Sequence, residues 1–325
     1  MNLRNKLEQS NRSITPPIKV ILRRGTNIES VHIAHAVICD SKGRVLMGAG
    51  QATYHTFIRS SLKPFQALPF ISSGTSDKIN CGEKGIAIAV SSHLGTPIHA
   101  RQAFNIIWNS DLNVDLLQCP VPNGFKSRLE HNCSGKHASF LATSKRMGWS
   151  LDNYLSIDHP LQKEINRRVS ELLRVPADEL IAERDDCGAP TLYLQLAQMA
   201  YLYAHLSESD NPDFELIRRG MLAYPELVAG NGAFDTELMR RAHGQLVSKG
   251  GAEGIQCLSK VGEGIGLAIK VEDGSKRAKQ AVALHILRQL DWITPVALEE
   301  LEDQILLMSP GVQLEVDGML RFQES

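Results

Sequence analysis

Arg59-Ser60-Ser61-Leu62-Lys63-Pro64-Phe65 is the stretch that orders the rest of the chain, because Ser60 precedes Lys63 by three residues and Lys249-Gly250-Gly251 follows far downstream. An early S-x-x-K with a late K-x-G is the layout of serine acyl-transfer enzymes in which lysine, rather than histidine, activates the nucleophile. Leu62, Phe65, Leu68, Phe70 and Ile71 lie close to one helical stripe. Pro64 is tolerated only if that helix has barely begun, since its missing N–H is harmless only in the first turn. Ser60 therefore falls at a helix N-terminus, and the i, i+3 spacing predicts the Lys63 amine over the Ser60 hydroxyl.

Away from this stretch the periodicity changes. Val31–Cys39, a turn at Asp40-Ser41-Lys42-Gly43, and Arg44–Met47 form the pattern of a β-hairpin. From Arg59 to about residue 242 the pattern is mainly helical, with Pro97–Asn109, His137–Met147, His159–Leu173 and the strongly apolar Pro190–Leu206. Gly85–Ser91 is short and apolar enough to be either strand or buried helix. Asp235-Thr236 would cap a short helix through Arg241, after which Gln245–Lys249, Gly254–Lys260 and Gly264–Val271 spell an antiparallel meander. A last long helix spans Ser275–Leu290. The fold class expected is α/β in the α+β sense, an antiparallel sheet built from both chain ends plus a helical subdomain. Residues 1–20 are expected to be a flexible N-terminus. Residues 21–325 would form a single domain, with mixed sheet regions at about 21–58 and 243–325 and a helical region at about 59–242.

The chain has 325 residues, a formal net charge of -1 and ordinary apolar and charged fractions. Its cations are scattered, so electrostatics give no reason for a nucleic-acid or membrane partner, and a small-molecule substrate is expected. Met1–Val20 lacks an apolar h-region and no run of about 18 apolar residues follows, which together predict a cytoplasmic protein. Six cysteines are too sparse for a disulfide scaffold.

A serine hydroxyl is a poor nucleophile without a base in hydrogen-bond reach. Lys63 can serve if it is neutral, and a second cation at Lys249 would favour that state. An isolated S-x-x-K is more often a capping serine beside a solvated lysine. Here it has company: Ser91-Ser92-His93 ends an apolar run, and Lys249-Gly250-Gly251-Ala252-Glu253-Gly254 ends a strand with small residues that let a ligand approach the backbone. Cys133 and Cys187 each precede a helix, where thiol pKa values fall and a soft metal such as zinc can be held, although no C-x-x-C pair is present.

These residues also carry a resemblance. Arg59-Ser60, Lys63-Pro64-Phe65-Gln66-Ala67-Leu68-Pro69, Ser92-His93, Asn132-Cys133-Ser134-Gly135-Lys136-His137, Cys187-Gly188-Ala189-Pro190-Thr191, Phe234-Asp235-Thr236 and Lys249-Gly250-Gly251-Ala252-Glu253-Gly254 occur in order. Over about Arg23 to Leu287 the chain resembles the class 3 (Rhizobium etli-type, thermolabile) L-asparaginases. The resemblance implies a serine β-lactamase/glutaminase-like fold and a homodimeric amidohydrolase that converts L-asparagine to L-aspartate and ammonia. It implies that Ser60, Lys63, Ser92 and Lys249 are catalytic; Arg59 is a candidate for the substrate α-carboxylate, with a solvated arginine as the competing reading, and His93 a candidate substrate-binding residue. It further implies zinc held by Cys133, Lys136 and Cys187, with Asp185 beside the metal water, and no organic cofactor.

Two positions depart from that family's pattern. Asp186 stands where glycine is usual, and Leu94 and Thr96 replace more polar residues after His93. Which serine attacks is left open by the sequence, with Ser60 favoured by its helix N-terminus. The competing functional readings are a serine β-lactamase or peptidase-like acyl transferase, which lacks its Ser-Asp-Asn element here, and a non-catalytic zinc-stabilised amino-acid-binding protein.

Overall fold

Residues 15–208 and 210–323 are described by a computed structural model. In chain order the strands are β1 (Ile18–Arg24), β2 (Asn27–Asp40), β3 (Val45–Ala49), β4 (His55–Phe57), β5 (Ile181–Arg184) and β6 (Pro190–Gln195). There follow β7 (Leu246–Gly250), β8 (Ile255–Lys260), β9 (Ile265–Val271), β10 (Val312–Asp317) and β11 (Arg321–Phe322). Two compact units divide the chain: Met1–Ser61 with Leu194–Glu208 and Gly232–Ser325, and Leu62–Tyr193 with Ser209–Asn231.

The first unit is an antiparallel sheet of eight strands in the order β10-β1-β2-β9-β8-β7, with β3 on β2 and β11 on β3. It is assembled from both chain ends, as the hairpin and meander patterns require. The length of β2, 14 residues, lets β1 and β3 pair with successive parts of one edge while β9 occupies the other. Side chains alternate across a strand, so Ala34, Ala36 and Ile38 of β2 and Leu267, Ile269 and Val271 of β9 enter one core with Ala281, Leu284 and Leu238. The opposite face meets the helix Leu196–Ser207. That helix lies so close that a Cβ at Gly266 would stand 2.1 Å from Ala200 O and 2.3 Å from Ala204 N. Only glycine fits there.

The second unit is helical, with a β5–β6 hairpin. Its innermost element is the helix Ser134–Arg146, buried from Ser134 through Ser144. Gly135 lets this helix cross the C-terminal end of the helix Gly82–Ala89, since a Cβ at that position would be 2.0 Å from Ile88 O. The crossing brings Ser91-Ser92 beside Asn132-Cys133, and the candidate site depends on it.

Several sequence expectations change. Ile18 and Val20, assigned to a flexible terminus, are fully buried in β1, while residues 1–14 lie outside the described residues. Pro190–Leu206 is two elements: Pro190–Gln195 is a strand that pairs with β5, and the helix begins at Leu196. A short apolar run reads alike in both states until a partner strand selects one. Gly85–Ser91 resolves as helix, Gly82–Ala89. The helix Pro295–Ile305 and strands β10 and β11 were not anticipated, because β10 pairs with β1 from the far end of the chain.

Gly266→Ala is expected to destabilise the protein by about 3 kcal/mol, the upper part of the usual overpacking range. Denaturant unfolding reads this directly, and an unchanged midpoint would refute the contact.

Candidate active site

Lys63 is fully buried at the head of the short helix Lys63–Gln66. Its Nζ donates to Ser91 O, to Ser92 Oγ at 2.9 Å and, at the long limit, to Asn132 O at 3.5 Å. The three N–H directions of an ammonium thus meet two carbonyls and one hydroxyl, with no carboxylate among them. The sequence spacing placed this amine over Ser60, but its hydroxyl partner is Ser92. The cause is local: Arg59–Leu62 is a 3-10 turn and the α-helix begins only at Lys63, so residues 60 and 63 do not share a regular helical face.

Ser92 is held from several sides. Its N–H donates to Val228 O at 2.8 Å, and the Ser91 hydroxyl donates back to Ile88 O at 2.7 Å. His93, 2 % exposed, accepts from Gly95 N through Nδ1 at 3.0 Å, which leaves its proton on Nε2 to donate to Ser134 Oγ at 3.0 Å. Burial, and then the neighbouring His99, Lys63 and His131, push its pKa well down, so the ring is neutral. Both ring nitrogens are spent inside the protein, tying the Ser92 loop to the helix Ser134–Arg146.

The thiols come together in the same unit. Cys133, Lys136 and Cys187 are each less than 5 % exposed, and Lys136 Nζ donates to Cys187 Sγ at 3.2 Å. The two thiols are pushed apart in pKa: Cys187 far down, chiefly through Cys133 and against the cost of burial, with Lys136 and His137 adding to it, while Cys133 is driven up. The pair is thus biased toward a thiolate at Cys187 and a thiol at Cys133. Burial opposes the charge on Lys136, but Cys187, Cys133 and Asp185 outweigh it and raise its pKa. His137 bonds Tyr154 Oη through Nδ1 at 2.8 Å, and its buried Nε2 has no hydrogen-bond partner among the described residues. His131 accepts from Cys133 N at 3.0 Å and is lowered to about 4, chiefly by burial, so it too is neutral.

Cys187 is presented by a tight turn in which Gly188 N donates to Asp185 O at 2.8 Å and Asp185 N donates to Ala189 O at 2.9 Å. The left-handed residue of this turn is Gly188, at φ +91°, and Asp186 is exposed with no positive φ. The side chain at 186 therefore imposes no backbone strain. Among the described residues no three His, Cys, Asp or Glu side chains converge as a metal centre. The two thiols gain a third donor only through the amine of Lys136.

In the first unit, Ser61 rather than Ser60 makes the structural bond: its hydroxyl donates to Lys249 O at 2.9 Å, and Tyr203 Oη donates to Ser61 O at 2.8 Å. Ile58 O lies 3.0 Å from where a Cβ of Gly251 would stand. The Arg59–Leu62 turn is thereby stapled along Lys249–Gly251. The Ser60 hydroxyl, half-buried, has no hydrogen bond among the described residues. Arg59 has φ +53°, a conformation costly for a residue with a side chain and one that collects at functional sites. Lys249 is fully buried and donates to Gly250 O at 3.0 Å. Asp235 does not cap its helix, whose N-cap is Ala233, but turns its carboxylate to β7. Sequence reasoning gave no role to Ser61, His137 or Tyr154; Ser61 and His137 stand inside quoted motifs, and Tyr154 carries no motif signal.

A family model described as L-asparaginase II matches residues 20–322. No curated protein matches significantly. Among solved structures, Mglu in its native form is 12% identical, over 79% of this chain and 63% of that one, with a TM-score of 0.39. Mglu in its glutamate form is 12% identical over 80% and 61%, with a TM-score of 0.37. This chain thus spans less than two thirds of the length of either. A Bacteroides dorei DSM 17855 protein provisionally described as a beta-lactamase is 9% identical over 92% and 96%, at a TM-score of 0.36. Likenesses this slight decide neither fold nor function.

With Cys187 held low and Cys133 high, metal-stripped protein is expected to show the ultraviolet band of one thiolate at neutral pH, below the ordinary thiol pKa of about 8.5. The band should persist as pH falls and vanish on unfolding or in Cys187→Ser. Its appearance only at alkaline pH would overturn the assignment.

Proposed function

The chain belongs to the L-asparaginase II family, and from that premise we propose that it is an amidohydrolase converting L-asparagine to L-aspartate and ammonia by serine acyl transfer. The observation that carries this reading is the 2.9 Å bond between the buried Lys63 amine and the Ser92 hydroxyl. An amine that faces only neutral acceptors can hand a proton to that hydroxyl and take one back. Ser60 supplies the attacking oxygen, an assignment resting on the sequence pattern and supported by a hydroxyl that makes no hydrogen bond among the described residues. The Lys63–Ser92 pair receives the proton and returns it to the departing ammonia, and water then hydrolyses the acyl-enzyme. Lys249 contributes fixed positive charge, and Arg59 binds the substrate α-carboxylate. His93 acts by holding the Ser92 loop, because its two nitrogens have partners already.

The same reading includes zinc at Cys133, Cys187 and Lys136. The donors fit in softness and burial: a thiolate at Cys187 supplies the anion, Cys133 releases its proton on binding, and Lys136 must bind as the free amine. When bound, the metal would organise the turn Asp185–Ala189 and the start of the helix Ser134–Arg146. The residues themselves already share that task through the thiol pair and the His137–Tyr154 bond. From the resemblance we propose a homodimer, whose assembly state sedimentation reads, and from the sequence reading a cytoplasmic location. For location the structure says that no described helix is long and apolar enough to cross a membrane.

Ammonia release across asparagine, glutamine and simple amides tests the substrate. Ser60→Ala, Lys63→Ala and Ser92→Ala are each expected to lower kcat by about 10³-fold, within the range for lost general acid–base or nucleophilic groups. Near-normal turnover in the first two together would sink the mechanism. Hydrolysis of a chromogenic β-lactam in place of asparagine would favour the penicillin-directed reading, and asparagine binding without ammonia release the non-catalytic one. Elemental analysis is expected to find zinc in the purified protein and none in Cys187→Ala.

A further inference from the structure

We propose that Asp235 is the positioning residue for Lys249, a buried carboxylate that grips the end of β7 on both sides of the lysine and so sets where its amine stands. The proposal rests on the reading of Lys249 as part of the reacting machinery, and it assigns a task to the Phe234-Asp235-Thr236 motif.

Asp235 lies in the first turn of the helix Phe234–Arg241 and is 8 % exposed. Its Oδ1 accepts from Ser248 Oγ and from Gln256 Nε2, both at 2.7 Å, and its Oδ2 accepts from Gly250 N at 2.8 Å. Ser248 and Gly250 flank Lys249 directly, and Gln256 is the cross-strand partner of Gly250. The neighbouring carbonyls are taken as well, Lys249 O by Ser61 Oγ at 2.9 Å and Gly251 O by Lys279 Nζ at 3.1 Å. A side chain at 250 would crowd this arrangement, since its Cβ would lie 3.1 Å from both Gln256 Oε1 and Lys279 Nζ and 3.3 Å from Asp235 Oδ2. Two residues of β7 and one of β8 are thus clamped about one carboxylate.

Charge adds to geometry. Burial alone would neutralise Asp235, but Lys249 and Lys279, with the Ser248 and Gly250 bonds, outweigh it and hold the carboxyl below its ordinary range. One anion is therefore shared by two buried cations. A carboxylate needed only for folding would not have to sit against the strand end that carries the lysine. Asp235 touches none of the reacting atoms in the proposed chemistry, so its effect passes through Lys249.

The test is steady-state asparagine hydrolysis by Asp235→Asn, which keeps the side-chain shape and removes the charge, alone and combined with Lys249→Met. Asp235→Asn is expected to lower kcat about 100-fold with KM changed less than about 3-fold, and to cause no further loss in the Lys249→Met background. Lost stability with kcat intact, or a loss that adds in full to that of Lys249→Met, overturns the proposal while leaving the functional reading in place. Full turnover in Lys249→Met would instead sink the functional reading, and the proposal with it. If Asp235→Asn does not fold, Ser248→Ala removes one anchor of the carboxylate and is expected to cost about 5-fold in kcat at unchanged KM. An unchanged kcat there also overturns it.

Discussion

The buried amine of Lys63 constrains everything around it. An ammonium out of water is costly unless each N–H finds an acceptor, and with no carboxylate bonded to it the chain must supply neutral oxygens from separate elements. Ser91, Ser92 and Asn132 do so. Two of the three lie just beyond the helix Gly82–Ala89 and the third just before the helix Ser134–Arg146. Their convergence requires these helices to cross at van der Waals contact, which Gly135 permits by having no Cβ to strike Ile88 O. A glycine of apparently minor interest thereby governs the environment of the lysine.

The same crossing links the lysine to the thiols. Asn132 O faces Lys63, and the thiol of the next residue, Cys133, is driven up in pKa chiefly by Cys187. His93 closes the arrangement from the Ser92 side by bonding Ser134. Neutral histidines serve here as rigid hydrogen-bonding parts: His93, His131 and His137 are all held low by burial, and each spends a ring nitrogen on a local partner. A protonated imidazole among these groups would add charge beside a buried lysine, and burial prevents it.

In the first unit the logic differs, because the sheet supplies rigidity that a helical turn cannot. Lys249 ends a strand whose neighbours β8 and β9 are buried on both faces, and the close approach of the helix Leu196–Ser207 over Gly266 leaves the sheet little room to move. The Asp235 carboxylate and the Ser61 hydroxyl then lock the strand end by backbone bonds. The strained φ of Arg59 adjoins this locked segment, where surrounding contacts can sustain it.

By itself the sequence determined the antiparallel sheet from both chain ends, the helical segment between, and the residue types of the candidate site. Alternation, glycine turns and short polar motifs are local signals, and they survive without knowledge of any partner. Tertiary structure alone decided that Lys63 pairs with Ser92, that Ser61 and not Ser60 is the staple, and that Asp235 turns to β7 instead of capping its helix. It also selected strand for Pro190–Gln195 and made Ile18 and Val20 buried members of the sheet. Each of those outcomes depends on which distant acceptor, strand or helix is within a few ångströms, and spacing along a chain does not encode that distance.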